Sequence, residues 1–468
     1  MKKNEVKELQ EQLLSKMGKP NKKVKSMDDS AMSSFCGDYL SFLDRSKTER
    51  EAVVSAVELL KNYGFEPFDP EKKYAPGEKA FWINRNKSLI AFIMGNEPLD
   101  KGTLITAAHI DSPRLDLKPR PLYEESSLAY FRTHYYGGIK KYQWTAIPLS
   151  MHGVVVLSNG EEITLRIGEN EEDPVFYISD LLPHLSRKSQ AGKTMGDIIV
   201  GEQMNVLLGS KPIDAEKEIS DPVKLNVLKI LNERYGIIED DLISAEIEIV
   251  PAMKARYIGF DKSMIGAYGQ DDRVCAYAGL RALTELDQPD KTCILVLADK
   301  EEIGSVGNTG LNSDILRHFI SFLSYTSCVK PETVLLASKC LSADVNAAYD
   351  PNFAEVYERQ NTAYLNCGPT LSKYTGSGGK GGSNDASAEF LGQVRNAFDK
   401  EEIPWQIGEL GKVDEGGGGT VAQFVSKLGI DTIDIGVGLF SMHSPYELSS
   451  CYDVYSLKQS LNCFYRNL

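Results

Sequence analysis

Four carboxylates within one stretch, residues 266 to 304, constrain the fold of this chain more than any other feature. Asp271 and Asp272 precede an apolar segment with helical spacing. Glu301 and Glu302 follow the apolar run CILVL, which predicts a buried strand. Carboxylates held close together disfavour one another's ionisation unless cations or water compensate their charge. The question for the rest of the chain is therefore whether it supplies the other ligands of a metal site.

Composition restricts the partners that the chain can have. Its 468 residues allow about three domains of typical size, and 42% hydrophobic with 25% charged residues is ordinary for a globular protein. The net charge of −14 repels nucleic-acid phosphates and anionic lipid. No apolar run approaches the 18 or so residues of a membrane span. We therefore expect neither nucleic acid nor membrane as a partner, but a small molecule or further copies of the chain.

The cysteines and the N-terminus predict a cytoplasmic protein. Eight cysteines are scattered without a CxxC motif, several of them inside apolar runs, which is typical of reduced thiols. The N-terminal segment is charged throughout and lacks the apolar core of a signal peptide. Val6, Leu9 and Leu13, with Gly18 after them, predict a short amphipathic helix there.

Hydrophobic periodicity indicates alternating helices and strands in the two outer parts of the chain and short strands in the middle. The elements predicted in the outer parts are helices at 47–63, 273–286, 385–398 and 421–428, and strands within 80–94 and at 103–108, 293–298, 333–337 and 432–437. We expect an α/β fold in which residues 1–113 and 256–468 form a mixed-sheet domain with helices on both faces. Residues 114–255, which include a hairpin at 154–168 and a helix at 223–235, predict an inserted β-rich domain.

The glycine-rich segment GSGGKGG, residues 376–382, formally matches the dinucleotide-binding pattern GxGxxG. No apolar strand precedes it, and Gly381 follows Lys380 where a phosphate-binding loop requires Ser or Thr. The segment is therefore interpreted as a mobile loop that faces a substrate or another subunit.

Candidate metal ligands recur just after predicted strands: His109 and Asp111, Glu301 and Glu302, Asp344, and His443. In an open α/β sheet, ligands bind at the edge formed by the C-terminal ends of the strands. Residues far apart in sequence can converge at this edge. Each group alone is weak evidence, since an HxD motif is more often an ordinary polar loop and paired glutamates are usually solvated. Only six histidines occur in the chain, however, and two of them fall at this edge together with at least four carboxylates.

The charges of this set balance those of a dinuclear metal site. Two Zn²⁺ ions bring four positive charges, which Asp271, Glu302, Asp344 and a bridging hydroxide would neutralise, while neutral His109 and His443 add none. Mixed nitrogen and oxygen ligands suit zinc, and Mn²⁺ or Co²⁺ would also fit.

Two carboxylates remain beside the predicted ligands. Glu301 is free to act as a general base, because a carboxylate next to activated water can accept its proton. Asp111, two residues after His109, can orient the imidazole through a hydrogen bond.

The segments AHIDSPRL, GQDDR, LADKEEIG, SADV and SMHSPYE, in this order, resemble the M18 metallopeptidases, the aspartyl aminopeptidase family. The resemblance extends from SFLDRSKTE, residues 41–49, to the C-terminus. It implies a cytoplasmic dinuclear zinc aminopeptidase that acts on peptides. It also implies a homo-oligomer, a tetrahedral dodecamer, in which the insertion mediates subunit contacts.

The resemblance also implies roles for the ligands. Asp271 would bridge the two metals. His109 and Asp344 would complete one site, and Glu302 and His443 the other.

Three further residues take their roles from the resemblance. Glu301 would be the base, His184 in PHLSRK would reach a neighbouring subunit's active site as a transition-state donor, and Lys373 would lie near the substrate. The sequence departs from eukaryotic members, which tend to carry histidines at the positions of Ala347 and Asp350. An acidic preference for the first residue of the peptide therefore stays open beside a neutral or broad one.

Two other functions stay open from the sequence. A related dinuclear N-deacylase or amidohydrolase would share the ligands but not the substrate. A self-assembling shell without catalysis is the alternative from another class, although every ligand and the base are present.

Overall fold

The computed structural model describes residues 3–13, 30–217 and 219–468. The helices, in chain order, are α1 (Lys3–Leu13), α2 (Ser30–Arg45), α3 (Glu49–Asn62), α4 (Pro183–Ser189), α5 (Met195–Ile198), α6 (Pro222–Tyr235), α7 (Gln270–Thr284), α8 (Ile315–Thr326), α9 (Pro331–Ala337), α10 (Ala388–Lys400), α11 (Ala422–Ser426) and α12 (Cys451–Asn467). The strands are β1 (Glu66–Pro67), β2 (Lys79–Asn84), β3 (Ser88–Ile93), β4 (Thr103–His109), β5 (Arg114–Glu125), β6 (Leu128–Tyr136), β7 (Leu149–Val156), β8 (Glu162–Ile167), β9 (Val206–Gly209), β10 (Glu246–Pro251), β11 (Arg256–Ile258), β12 (Met264–Ala267), β13 (Thr292–Ala298), β14 (Lys339–Ala343), β15 (Asn346–Ala347), β16 (Thr370–Ser372), β17 (Gln406–Ile407), β18 (Asp431–Gly436), β19 (Gly438–Leu439) and β20 (Glu447–Ser450).

A nine-stranded sheet in the order β1-β2-β3-β13-β4-β14-β18-β16-β17 forms the larger of the two main sheets. Its four middle strands, β13, β4, β14 and β18, run parallel to one another. The flanking strands β3 and β16 pair antiparallel with β13 and β18. The sheet is therefore mixed, as the sequence predicts.

Helices cover both faces of this sheet. Side chains alternate between the faces along a strand, so neighbouring residues of β4 enter different cores. Leu104 packs in a core with residues of α2, α7, α10 and α12, whereas Ile105 packs in a second core with residues of α8 and α9. Nearly every residue of the middle strands is buried, as expected for parallel strands covered on both sides. The predicted α/β fold class is confirmed.

A second sheet, of six strands in the order β8-β7-β10-β5-β6-β9, is antiparallel throughout. Its strands all lie between Arg114 and Pro251, and they share a separate core around the fully buried Trp144. This part of the chain is the one predicted as an inserted domain. The division at 114–255 itself stays a prediction.

The predicted strand at 333–337 is wrong, because these residues belong to helix α9. Pro331 occupies the first turn of that helix, where its missing N–H costs nothing and its fixed backbone angle suits the helix. The strand is the next segment, β14, which ends directly before Asp344. An apolar run this short cannot be assigned by periodicity alone.

The predicted N-terminal helix is present as α1, while Gly18 lies outside the described residues. In the part of the chain that the structure describes, no helix is both long enough and apolar enough to cross a bilayer.

Candidate metal centre

The parallel strands deliver the candidate ligands to one edge of the large sheet. Strand β4 ends at His109, whose register partner on β13 is Ala298. Strand β14 ends immediately before Asp344. The 3₁₀ turn Glu301–Ile303 follows β13, and it carries the adjacent glutamates. Because parallel strands end at the same side, these groups meet although they are distant in sequence.

Five side chains form two ligand groups that share Asp271. His109, Asp271 and Asp344 make one group, and Asp271, Glu302 and His443 make the other, with the ligand atoms of each group within 4.8 Å of one another. Oδ1 of Asp271 lies 3.2 Å from Nε2 of His109, and its Oδ2 lies 3.2 Å from Nε2 of His443. Each oxygen of Asp271 therefore faces a different histidine, which is the arrangement that a bridging carboxylate requires.

The carboxylates of this cluster are strongly perturbed by burial. Burial raises the pKa of Glu302 well above its ordinary value, and the charge of Asp271 adds to this effect. Burial likewise raises the pKa of Asp344, together with the charge of Asp272. Although burial opposes it, hydrogen bonds from His109 and His443 hold the pKa of Asp271 below its usual range. Burial thus disfavours the charged forms of Glu302 and Asp344 unless a cation stabilises them.

An unpaired atom shows that the residues fit a cation. Oε1 of Glu302 is buried and has no hydrogen-bond partner among the described residues. A buried acceptor left without a partner costs about 1–3 kcal/mol. A divalent cation would supply the missing partner and the missing charge, and mixed histidine and carboxylate donors match the preference of zinc.

Asp111 organises the groups around the ligands. Its Oδ1 lies 3.3 Å from Nδ1 of His109 and accepts a hydrogen bond of 3.1 Å from the backbone N–H of Glu301. Its Oδ2 accepts hydrogen bonds from the backbone N–H of Glu302 (3.2 Å) and from the hydroxyl of Tyr136 (2.8 Å). Nδ1 of His109 also lies 3.0 Å from the backbone carbonyl oxygen of Asp111, which accepts its hydrogen bond. Asp111 thereby positions the histidine ligand through its backbone and the glutamate pair through its fully buried carboxylate.

Glu301 lies beside the ligands and faces the same cavity as they do. Burial, opposed by His109 and reinforced by the charges of Asp111 and Asp271, raises its pKa to about 7. A carboxyl group with a pKa near neutrality can both accept and release a proton at physiological pH.

The cavity in front of the cluster has a volume of ≈ 600 Å³. Two glycine-rich loops form part of its wall, and they touch where the backbone N–H of Gly376 donates to the carbonyl of Gly418 at 2.6 Å. A Cβ on Gly417, whose φ is +110°, would stand 2.2 Å from the carbonyl oxygen of Gly376. Only glycine permits this approach. The segment predicted to face a substrate or a subunit thus contributes to the cavity wall.

Two predicted site residues lie apart from the cluster within one chain. His184 is exposed on α4, and Lys373 is half-buried and pairs with Asp385 at 3.1 Å. Neither residue lines the cavity, whereas Lys380 does, with its ammonium 3.6 Å from the centre of the Tyr374 ring.

The predicted site did not include Glu447, which accepts hydrogen bonds from the backbone of two predicted ligands. Its carboxylate accepts hydrogen bonds from the backbone N–H groups of His443 (2.8 Å) and Asp271 (3.1 Å). Burial and the charge of Asp271 raise its pKa to about 8. Its position as the last residue of SMHSPYE was the available signal.

The fold is a mixed α/β sheet, and two groups of carboxylates and histidines share one aspartate at its strand ends. This combination is typical of metal-dependent hydrolases. The family model described as aminopeptidase I zinc metalloprotease (M18) matches residues 42–465. The chain belongs to this family, and it is a zinc-dependent aminopeptidase. The resemblance seen in the sequence is therefore confirmed.

Relatives and solved structures agree with this membership. A probable M18 family aminopeptidase 1 from Borrelia garinii is 47% identical over 439 residues, which cover 92% of this chain and 95% of the relative. The crystal structure of an M18 aminopeptidase from Thermotoga maritima is 41% identical with a TM-score of 0.89, covering 94% of this chain and 98% of that one. Aminopeptidase I from Clostridium acetobutylicum is 42% identical with a TM-score of 0.88, covering 94% and 97%.

Proposed function

We propose that this aminopeptidase holds two Zn²⁺ ions and removes the first residue from peptides. His109 and Asp344 would complete one metal site, Glu302 and His443 the other, and Asp271 would bridge them. The observation that carries the proposal is that each oxygen of Asp271 lies 3.2 Å from a different histidine. Zinc would supply Lewis acidity toward the scissile carbonyl and activate water, and Mn²⁺ or Co²⁺ would also suit the ligands.

In the proposed reaction, Glu301 takes a proton from the attacking water and later gives it to the leaving amine. Its pKa of about 7 supports this role, because both proton transfers are then accessible near neutrality. Asp111 would hold the backbone of Glu301 in place through the 3.1 Å hydrogen bond. Asp111 therefore acts on the reaction by positioning the base and His109.

The test of this assignment is Glu301→Gln, which keeps the size of the side chain but removes the base. We expect the variant to retain its zinc, measured by elemental analysis, and to lose turnover by at least about 100-fold. Glu58→Gln, at an exposed glutamate of α3 with a side-chain exposure of 61%, is the matched control. Full activity of Glu301→Gln would refute the assignment, whereas loss of zinc would move Glu301 into the ligand set.

The substrate class follows from the chemistry of an aminopeptidase, which needs a free α-amine. An unblocked peptide should therefore release its first residue, while the same peptide with an N-acetyl group should not react. Hydrolysis of the acetylated peptide alone would favour the N-deacylase alternative. Less than one zinc equivalent per chain, with no hydrolysis of either peptide, would favour the catalytically inactive shell.

We propose a neutral or broad preference for the first residue of the peptide, with acidic residues accepted but not required. The cavity wall includes the apolar side chains of Leu410, Phe424 and Met442, which supports binding of uncharged residues. Two lysines line the cavity, Lys380 and Lys412, and the first of them already pairs with Asp385 at 3.2 Å. Aminoacyl chromogenic substrates of Asp, Glu, Leu and Lys test the preference, and activity confined to Asp and Glu would refute it.

We propose that the chain assembles as a homo-oligomer, a dodecamer, in which His184 of one subunit reaches the active site of a neighbour. Lys373 would lie near the substrate. The exposed leucines Leu181, Leu182 and Leu185 beside His184 support a contact between subunits there. Light scattering measures the number of subunits.

Mixed oligomers test whether His184 acts in a neighbouring subunit. Chains with Glu301→Gln lack the base and chains with His184→Ala lack the donor, so oligomers assembled from both should regain activity that neither has alone. Absence of any regain in verified mixed oligomers would place His184 outside the active site.

The proposed location is the cytoplasm. All eight cysteines are unpaired and seven of them are buried, which supports a protein folded under reducing conditions. Cell fractionation with a cytoplasmic marker tests this.

A further inference from the structure

A short turn after strand β6, residues 136–138, leaves the six-stranded sheet and touches the metal centre. The hydroxyl of Tyr136 donates a hydrogen bond of 2.8 Å to Oδ2 of Asp111. Two residues later, the carbonyl of Gly138 accepts a hydrogen bond of 2.8 Å from Nδ1 of His443. The turn thus contacts one predicted ligand, His443, directly. It contacts Asp111, which in turn lies against other residues of the cluster.

Tyr136 packs against a buried arginine. It is the register partner of Arg114 on β5, and its ring lies 3.9 Å from the Arg114 guanidinium. Arg114 is buried and donates a hydrogen bond of 2.8 Å to Asp116, and carboxylate oxygens of Glu49 at 3.3 Å and Glu248 at 3.2 Å lie beside its guanidinium. Glu49 belongs to α3 and Glu248 to β10 of the second sheet, so the tyrosine is supported from both parts of the fold.

Gly137 brings the turn against Glu302. Its φ is +75°, and a Cβ there would stand 3.3 Å from Cβ and Oε2 of Glu302. Any larger residue would press on a predicted ligand as well as strain the backbone.

The contacts of Asp111 explain how one hydroxyl can influence several groups. The carboxylate that Tyr136 binds also accepts the backbone N–H groups of Glu301 and Glu302 and lies 3.3 Å from Nδ1 of His109. A buried acceptor with this many partners has a fixed orientation, and hydrogen bonds behind metal ligands affect metal affinity and activity about 10–100-fold.

We propose that the turn at 136–138 is a positioning element of the metal centre, in which Tyr136 orients His109 and the glutamate pair through Asp111, and Gly138 orients His443. The six-stranded sheet then has a role in catalysis within its own chain, beside any role in assembly. The inference rests on the ligand and base assignments of the proposed function.

The first test is Tyr136→Phe, which keeps the ring against Arg114 and removes one hydroxyl. We expect zinc affinity, measured by competition with a chromogenic chelator, to fall about 10–100-fold. In the zinc-saturated enzyme, kcat should fall by a similar factor with KM changed less than about twofold. The visible absorption of the Co²⁺-substituted variant should also change, because that spectrum reports ligand geometry.

Tyr130→Phe is the matched control, since Tyr130 lies on the same strand but stacks on Tyr123 with ring centres 5.4 Å apart. A merely structural role for Tyr136 would lower the melting temperature and leave zinc affinity and the Co²⁺ spectrum as in the wild type. That result would overturn the proposal.

Gly137→Ala provides an independent test through Glu302. It should weaken zinc binding about tenfold or more, whereas Gly160→Ala, at φ +85° with nothing within 4 Å of the added Cβ, should not. Equal zinc affinity in these two variants would refute the role of the turn.

The wild-type protein separates this inference from the proposed function. Retention of full aminopeptidase activity by a metal-free wild-type enzyme would refute the metal assignment itself. Wild-type zinc dependence together with unchanged zinc affinity and kcat in Tyr136→Phe and Gly137→Ala would refute the inference alone.

Discussion

Replacing Lys47 by methionine should destabilise the protein strongly, because it breaks a buried ion pair at the junction of the two sheets. Nζ of Lys47 lies 2.7 Å from Oε1 of Glu169, and the side chains of these residues are only 3% and 4% exposed. It also donates to the carbonyl of Pro251 at 2.8 Å. Removing one partner of a buried pair costs about 3–5 kcal/mol. Glu169 keeps contacts with Lys254 at 2.8 Å and His152 at 3.2 Å, so we expect the lower end, about 3 kcal/mol.

The same carboxylate offers a matched control. Lys254 also pairs with Glu169, but its side chain is 41% exposed, so Lys254→Met should cost less than about 1 kcal/mol. Urea unfolding followed by circular dichroism, at one protein concentration, gives both values. Equal losses for Lys47→Met and Lys254→Met would refute the argument from burial.

Two further predictions concern pH and the cavity wall. Burial opposes protonation of His152, but hydrogen bonds to Glu169 and Glu51 raise its pKa above the ordinary 6.5. The protonated imidazole therefore contributes its full stabilisation below pH 6.5, and this stabilisation is lost as the pH rises through the raised pKa. The free energy of unfolding that His152→Gln removes should therefore be larger at about pH 6 than at about pH 9; an equal loss at both would contradict this. Gly417→Ala should destabilise the protein by more than about 1 kcal/mol and raise KM, because the new Cβ would lie 2.2 Å from the carbonyl oxygen of Gly376. Urea unfolding and steady-state kinetics measure the two effects, and a wild-type KM would show that the loop contact does not shape the cavity.

Local sequence signals were sufficient where an element is long or strongly periodic. The predicted helix at 47–63 corresponds to α3, Glu49–Asn62, and the side chain of Thr48 caps its first turn. The predicted strand at 103–108 corresponds to β4, Thr103–His109. The short run at 333–337 carried no such signal. It lies in helix α9, whose first turn contains Pro331, and the strand is the next segment, β14.

The sequence by itself determined the α/β class, the family and the set of candidate ligands. The class and the candidate ligands depend on periodicity and on residue types that follow apolar strands, and the family on the resemblance of ordered motifs; all of these can be recognised in a linear chain. The tertiary structure decided which of those side chains lie together. Asp271 contacts two histidines, while Glu301 lies beside them with its pKa raised to about 7.

Only the tertiary structure brings Tyr136 and Gly138 into contact with residues of the candidate metal centre. Tyr136 is 25 residues from Asp111 along the chain, and the carbonyl of Gly138 is 305 residues from the imidazole it binds. No residue type or spacing marks such a contact, because it arises from the way the antiparallel sheet packs beside the mixed one. The hydrogen bond from Tyr136 to Asp111 is also buried, and a hydrogen bond withdrawn from water is stronger than one exposed to it.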